Sequence, residues 1–181
     1  MLGPYIHEGD VTLGPIGPQH LDNYCAWFAD QDVTRYLLMI LPPAAKQEQE
    51  WFERMTASDR VVYWGIFVDG VHVGATSLES INWQHRNASS GTIIGDKRYW
   101  RRGVGSAAMR LRTHYAFHQL GLEKLKSSAF AENAGSRRSL EKAGYRQSGV
   151  ERREIFREGR WHDIIQYELL REDWLRLRDD E

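Results

Sequence analysis

Two glycines stand directly behind two arginines in Trp100-Arg101-Arg102-Gly103-Val104-Gly105-Ser106-Ala107. Apolar residues then recur at Val104, Ala107, Ala108, Leu111 and Tyr115, the spacing of one helix face, and Gly121 follows as a stop. Upstream, Gly91-Thr92-Ile93-Ile94-Gly95 reads as a short buried strand. A strand, a tight basic turn and a helix start have a chemical use together. The first N–H groups of a helix lack partners within it, and the helix dipole adds partial positive charge there. Glycine lets the backbone turn sharply and approach a ligand closely. Such a turn can cradle a phosphate or diphosphate, with Arg101 and Arg102 adding charge. The same residues also fit an ordinary packing turn, because short glycine patterns are weak signals. Neither a Gly-Lys-Ser/Thr ending nor the full three-glycine dinucleotide fingerprint follows.

A second stretch narrows the choice. Asn133-Ala134-Gly135-Ser136-Arg137-Arg138-Ser139-Leu140-Glu141-Lys142-Ala143-Gly144-Tyr145 comes just after the apolar-alternating run from Leu125 to Phe130. With the first turn, it resembles the GNAT superfamily of acetyl-CoA-dependent N-acetyltransferases. That family's Gln/Arg-x-x-Gly-x-Gly/Ala turn stands here as Trp100 to Gly105, with Trp in the first place. Its later Asn-x-x-Ser/Ala, helix, Gly-Phe/Tyr pattern stands as Asn133, Ser136, Gly144 and Tyr145. The subgroup it most resembles is the RimJ/RimL protein N-terminal acetyltransferases and the related spermidine acetyltransferases. Val73-Gly74, Ile81-Asn82, Arg86 and the ending Arg157 to Asp163 also resemble that subgroup, so the likeness runs roughly from Thr12 to Trp174.

The resemblance implies acetyl-CoA as cosubstrate, no metal, and an amine acceptor: a protein N-terminus, a polyamine or another small amine. It implies that backbone groups of Ile93, Ile94 and Gly95 pair with pantetheine and supply the oxyanion donor. It places the amides of Arg101, Arg102, Gly103, Val104, Gly105 and Ser106 on the diphosphate, and sets Asn133 against the cofactor arm or a held water. Ser136 opens the next helix, where a cap and a cofactor contact are equally open readings. The reaction also needs a base to take a proton from the amine and a donor for the departing thiolate. Here the sequence departs from the family. Leu140 stands where many members carry a tyrosine acid, leaving Ser136 or Ser139 to supply the hydroxyl. Ser128 stands where a glutamate base is found, leaving Glu79 and Glu132 nearby. Glu79 is the preferred base, against the alternatives of an exposed strand carboxylate or a water route past Asn82.

These groups need a scaffold, and the chain outlines one. Val11 to Ile16 reads as a first strand, and Gln19 to Ala29, Asp30 to Leu38 and Lys46 to Thr56 as helices. Asp30, Asp32, Glu48 and Glu53 on these helices could attract a cationic amine, although each singly reads as a solvated charge. Val61 to Val68 and Val71 to Asn82 form a hairpin about Asp69-Gly70, with slipped parity at Leu78 and Ile81 that predicts a bulge. Ala88 to Gly95 completes an antiparallel meander. After the long helix come a strand (Lys124 to Phe130), a helix (Ser136 to Lys142), two strands (Tyr145 to Arg157, Trp161 to Leu170) and a short helix from Asp173 to Arg178. This order predicts one α+β domain over residues 1–181: a mixed, mostly antiparallel central sheet flanked by helices.

Bulk properties exclude several classes. With 181 residues, 41% of them hydrophobic, the chain can bury one real core. A net charge of −1 argues against nucleic acid as partner, and no apolar run is long enough to span a membrane. Cys25 is the single cysteine, and it reads as buried packing in a reducing, cytoplasmic setting. His114 and His118 lie four apart on the long helix without a third metal ligand. Trp83 and Trp100 are candidate pocket walls, Tyr145 a core residue, and a homodimer is an open expectation. Two other readings remain: a binding module that keeps the acyl-CoA site without catalysis, supported by Leu140 and Ser128, and a nucleotide-binding protein using the glycine turn.

Overall fold

The computed structural model describes residues 1–39 and 41–179. Among these, eight strands form one sheet in the order β1-β2-β3-β4-β5-β6-β8-β7. The strands are β1 (Ile6–Glu8), β2 (Val11–Gly14), β3 (Val62–Val68), β4 (Val71–Asn82), β5 (Asn87–Ile94), β6 (Lys124–Phe130), β7 (Arg146–Arg157) and β8 (Arg160–Leu170). The helices are α1 (Leu21–Phe28), α2 (Gln31–Thr34), α3 (Ala45–Ala57), α4 (Val104–His118), α5 (Ala134–Lys142) and α6 (Arg171–Asp179). Every neighbouring pair is antiparallel except β5 and β6.

That one parallel pair matters most. It is joined through α4, and it lasts only three residue pairs, Asn87↔Lys124, Ala88↔Leu125 and Ser89↔Lys126. Beyond Ser89 the strands part and leave a wedge-shaped gap. Its apex is pinned by side chains: Ser127 Oγ donates to the Ser90 carbonyl at 3.0 Å, and Ser90 Oγ donates to the Lys126 carbonyl at 3.0 Å. Tyr145 is buried, with its hydroxyl 3.2 Å from Ser90 Oγ, so this core residue also braces the apex.

Two apolar clusters hold the sheet. The larger packs α4 and α6 on one face, with Val104, Ala108, Phe117, Leu140 and Trp174 against Leu13, Trp64, Leu78 and Leu125. The smaller packs α1 and α3 against the other face, through Leu21, Tyr24, Met55, Tyr63 and Ala75.

Several elements differ from the pattern in the sequence. The segment after Asp30 is helical only over α2, because Asp30 caps it at Asp32 N (2.9 Å) and the helix ends at Thr34. Strand β1 is too short for its alternation to register. Asn133, rather than Ser136, caps α5: its side chain accepts from Ser136 N at 3.1 Å. Cys25 is half-buried rather than enclosed, and burial raises its thiol pKa, which keeps it a thiol. The bulge in β4 falls between Glu79 and Asn82, where Ser80 takes φ +50°.

Candidate active site

The basic turn lies between the end of β5 and the start of α4. Arg101 (φ +61°) and Gly103 (φ +82°) both take left-handed backbone, which folds the chain tightly into the helix. Gly103 is the N-cap of α4 and offers no side chain to its first amides. A Cβ at Gly103 would meet nothing within 4 Å, so the turn is open on its outer side. The amides of Val104, Gly105 and Ser106 therefore form the first turn of a 15-residue helix with no internal acceptor, which is the arrangement that favours an anion. Val104 buries its side chain in the core, while the Arg102 guanidinium lies over the Tyr99 ring at 5.2 Å. Trp100 ties the turn to the strand: its indole Nε1 donates to the Ile94 carbonyl at 2.7 Å.

Strand β5 forms one wall of the gap, and its alternation decides which groups face it. Gly95 N donates to the Val73 carbonyl at 2.9 Å, so its backbone faces β4. Alternation along an antiparallel ladder turns Ile93 and Gly91 the same way, and turns Ile94, Thr92 and Ser90 toward β6. The Ser127–Ser90 and Trp100–Ile94 bonds agree with this. Hence Ile94 alone of the residues 93–95 presents backbone to the gap. Ile93 and Gly95 are corrected to sheet-facing positions, and Thr92 is the edge residue that sequence reasoning missed. Gly95 has a packing reason of its own, since a Cβ there would lie 2.0 Å from the Trp27 ring.

Glu79 lies on β4, one strand away from this gap and level with its narrow end. It pairs with Ser89, the last residue before the strands part. Its Oε1 accepts from the buried Ser77 hydroxyl at 2.7 Å, and Ser77 lies opposite Gly91. Glu79 is exposed at the rim of a pocket of about 310 Å³ lined by Trp51, Arg54, Met55, Ser58, Val61 and Tyr63. Glu132, the other carboxylate near the site, is engaged with His162 Nδ1 at 3.1 Å and Arg160 at 3.3 Å. A second cleft of about 200 Å³ is lined by Arg35, Tyr36, Phe130, Arg157, Glu158, Arg160 and His162 at the far end of β6.

Helix α5 carries the candidate proton donors. Leu140 is buried in the core, so it offers no hydroxyl and points inward. Ser136 precedes it by four residues and shares its face, whereas Ser139 is turned about 100° away. Both serines are half-buried. Asn133 commits its side-chain oxygen to the cap, leaving its NH₂ as the group able to reach outward.

The acidic residues of the first helices separate into different roles. Asp30 and Asp32 pair with Lys97 at 2.7 and 3.1 Å, and the lysine holds the Asp30 carboxyl below its usual pKa range. Glu53 is exposed and accepts from Gln49. Glu48 is only 5% exposed, and burial raises its pKa. It faces the aromatic cluster of Tyr24, Trp51 and Tyr63, where burial also raises both tyrosine pKa values. Trp83 donates to the Asp59 carbonyl at 3.0 Å, tying the β4–β5 turn to the segment after α3, and Asn82 accepts from His85 N at 2.8 Å within that turn. Among the described residues no helix is long and apolar enough to cross a membrane. Also among them, no three His, Cys, Asp or Glu side chains are grouped to hold a metal ion.

Comparison with known proteins agrees with this geometry. Residues 10–146 match the model of the acetyltransferase (GNAT) domain. "Probable N-acetyltransferase YjcK" of Bacillus subtilis is 35% identical over 123 residues, 65% of this chain and 66% of its own length. Two solved structures share the fold at 19% identity. A spermidine N-acetyltransferase from Vibrio cholerae, in complex with CoA and spermine, has a TM-score of 0.87 over 93% of this chain and 99% of its own. Mycobacterium smegmatis RimJ, in complex with CoA-disulfide, has a TM-score of 0.81 over 94% of this chain and 88% of its own.

Proposed function

The chain belongs to the acetyltransferase (GNAT) domain family, and from that premise we propose that it transfers an acetyl group from acetyl-CoA to a primary amine, the acceptor being the α-amine of a protein N-terminus. The observation that carries this is spatial order. An open, amide-lined turn leads into a gap with a free strand edge, and a carboxylate stands on the adjoining strand level with the gap's narrow end.

Acetyl-CoA brings an activated thioester and, remote from it, a diphosphate by which to hold it. In this reading the amides of Gly103 to Ser106 bind the diphosphate, and Arg101 and Arg102 add charge at the rim. The edge groups left open, the Thr92 carbonyl and the Ile94 N–H, pair with the pantetheine amides as an added strand would. Binding energy is thus gathered far from the reacting carbon and used to place it. Glu79 takes the proton that the amine gives up as its nitrogen bonds to the carbonyl carbon. The carbonyl π pair moves onto oxygen, where the Thr92 N–H receives it. Collapse breaks the carbon–sulfur bond, the Ser136 hydroxyl donates a hydrogen bond to the departing thiolate, and solvent protonates the sulfur.

Charge favours a protein N-terminus over a polyamine. The pocket beside Glu79 carries one carboxylate and one guanidinium, Arg54. The second cleft is dominated by arginines. A polyamine carries several ammonium groups and calls for several carboxylates in reach, whereas a polypeptide N-terminus needs one base and an open wall. The polyamine reading has one observation of its own, the buried Glu48 among aromatic rings, a setting suited to a cation.

Thiol release from acetyl-CoA over a panel of free N-terminal peptides, polyamines and aminoglycosides tests this. Turnover with a free peptide and none with its N-terminally blocked form is expected. Faster turnover with spermidine moves the assignment to polyamines. Heat protection by CoA without thiol release on any amine makes the protein a binding module.

A further inference from the structure

Arg112 lies in the middle of α4 and is only 1% exposed. Its Nη1 donates to the Gly91 carbonyl at 2.7 Å, to Thr76 Oγ1 at 2.8 Å and to Thr92 Oγ1 at 2.8 Å. Its Nε has no hydrogen-bond partner. Among the described residues no carboxylate lies within ion-pair distance of it. A guanidinium is always charged, and burying a charge without a counterion costs several kcal/mol by general experience. Apolar packing would fill the same volume without that cost. Its partners are neutral hydroxyls and a carbonyl, so a cation here calls for an explanation beyond stability.

The peptide group it touches supplies one. The Gly91 carbonyl and the Thr92 N–H belong to a single peptide unit. The carbonyl faces β4, where it accepts from Arg112 and also from Thr76 Oγ1 at 2.8 Å. The N–H faces the gap. A charge-assisted bond to a carbonyl withdraws electron density across the amide and makes its N–H a stronger donor, the more so where the surroundings are of low dielectric.

We propose that Arg112 is a positioning residue for acetyl transfer: buried behind β5, it polarises the Gly91–Thr92 peptide so that the Thr92 N–H stabilises the negative charge that develops on the thioester oxygen. As the amine nitrogen bonds to the carbonyl carbon, the π pair moves onto oxygen. The uncompensated cation then acquires, through one peptide unit, the anion it lacks in the resting protein. This favours the transition state over the ground state, in which the oxygen is nearly neutral. The inference rests on the proposal that the thioester lies along the free edge of β5.

The test uses a ketone analogue of acetyl-CoA in which a methylene replaces the sulfur, and reads its carbonyl stretch by isotope-edited infrared spectroscopy. In the wild-type protein the stretch should fall below its value in water. In Arg112→Gln, which keeps a donor and loses the charge, the fall should shrink by more than about half while the analogue's Kd changes less than about threefold. Arg112→Lys should keep most of it. The kcat of Arg112→Gln should drop about tenfold, less than the 10²- to 10³-fold typical of deleting an oxyanion donor outright. Thermal unfolding checks that each variant folds. If neither does, Thr76→Val removes the second donor on the same carbonyl and should shrink the shift by a smaller amount. An unchanged stretch in every folded variant overturns the role of Arg112 alone. Failure of the wild-type protein to bind the analogue, or to release thiol with any amine, overturns the transfer reading itself.

Discussion

The indole of Trp100 donates to the carbonyl of Ile94 at 2.7 Å. The bond locks the start of the basic turn to the last residue of the strand edge. It fixes the angle between the turn and the strand edge, the two surfaces to which the proposed function assigns the cofactor. Sequence patterning offers Trp100 as a candidate pocket wall, and in the fold its indole NH ties the turn to the strand. Removing it in Trp100→Phe costs about 1 kcal/mol of ordering, which is about fivefold in binding. KM for acetyl-CoA should rise by about that factor while kcat stays within about twofold. Steady-state kinetics with acetyl-CoA varied would show it.

Gly103 takes φ +82° with open space where a side chain would begin. Gly103→Ala therefore meets backbone strain and no clash. An L-residue in this conformation costs about 1–2 kcal/mol, and each kcal/mol is about 2–4 °C in a domain of this size. Thermal unfolding should fall by about 2–8 °C, and CoA should restore less of that loss than it adds to the wild-type Tm.

Glu79→Gln keeps the shape of the carboxylate and a weak acceptor for Ser77, and removes the base. General base catalysis contributes about 10²- to 10⁴-fold, so kcat should drop at least about 100-fold with Kd for CoA unchanged. Glu132→Gln is the control. Its carboxylate holds His162 and Arg160, so the variant should lose stability before activity.

His72 is buried against Tyr24, Trp27 and His20, and its Nδ1 lies 3.0 Å from Asn23 Nδ2. Burial, followed by the charge of His20, pushes its pKa down to about 4. An unfolded histidine takes a proton near pH 6.5, so protons favour the unfolded chain between these values. Stability from this residue is full above about pH 6.5 and is lost as the pH falls toward about 4, a loss of the order of 2–3 kcal/mol. The Tm should decline from pH 7 to 4.5, with a shallower slope in His72→Gln.

The parts of this architecture that depend on local pattern were open to reading in the sequence. The turn at Gly103, the apolar face of α4, the Asp69-Gly70 hairpin and the bulge near Glu79 all leave marks in residue type or spacing. Groups whose role depends on packing left none. Thr92 faces the gap with its backbone, which any residue would supply. Glu48 has the look of a solvated helix charge, and only the packing of α3 on the sheet buries it. Arg112 reads as surface charge on a helix until the strand behind it is placed. Asn133 and Ser136 are three apart, a spacing that fits either one as the cap, and the hydrogen bond decides for Asn133.

The most direct test concerns the diphosphate. Calorimetric titration should be run with CoA and with 4′-phosphopantetheine, which shares the arm and lacks the diphosphate bridge. Binding of CoA should be at least about 100-fold tighter, and Gly103→Val should narrow that ratio by about tenfold, in line with loss of charge-assisted bonds of about 1.5–3 kcal/mol. Equal affinity for the two compounds, or a ratio untouched by Gly103→Val in a folded protein, would contradict a turn that grips the diphosphate.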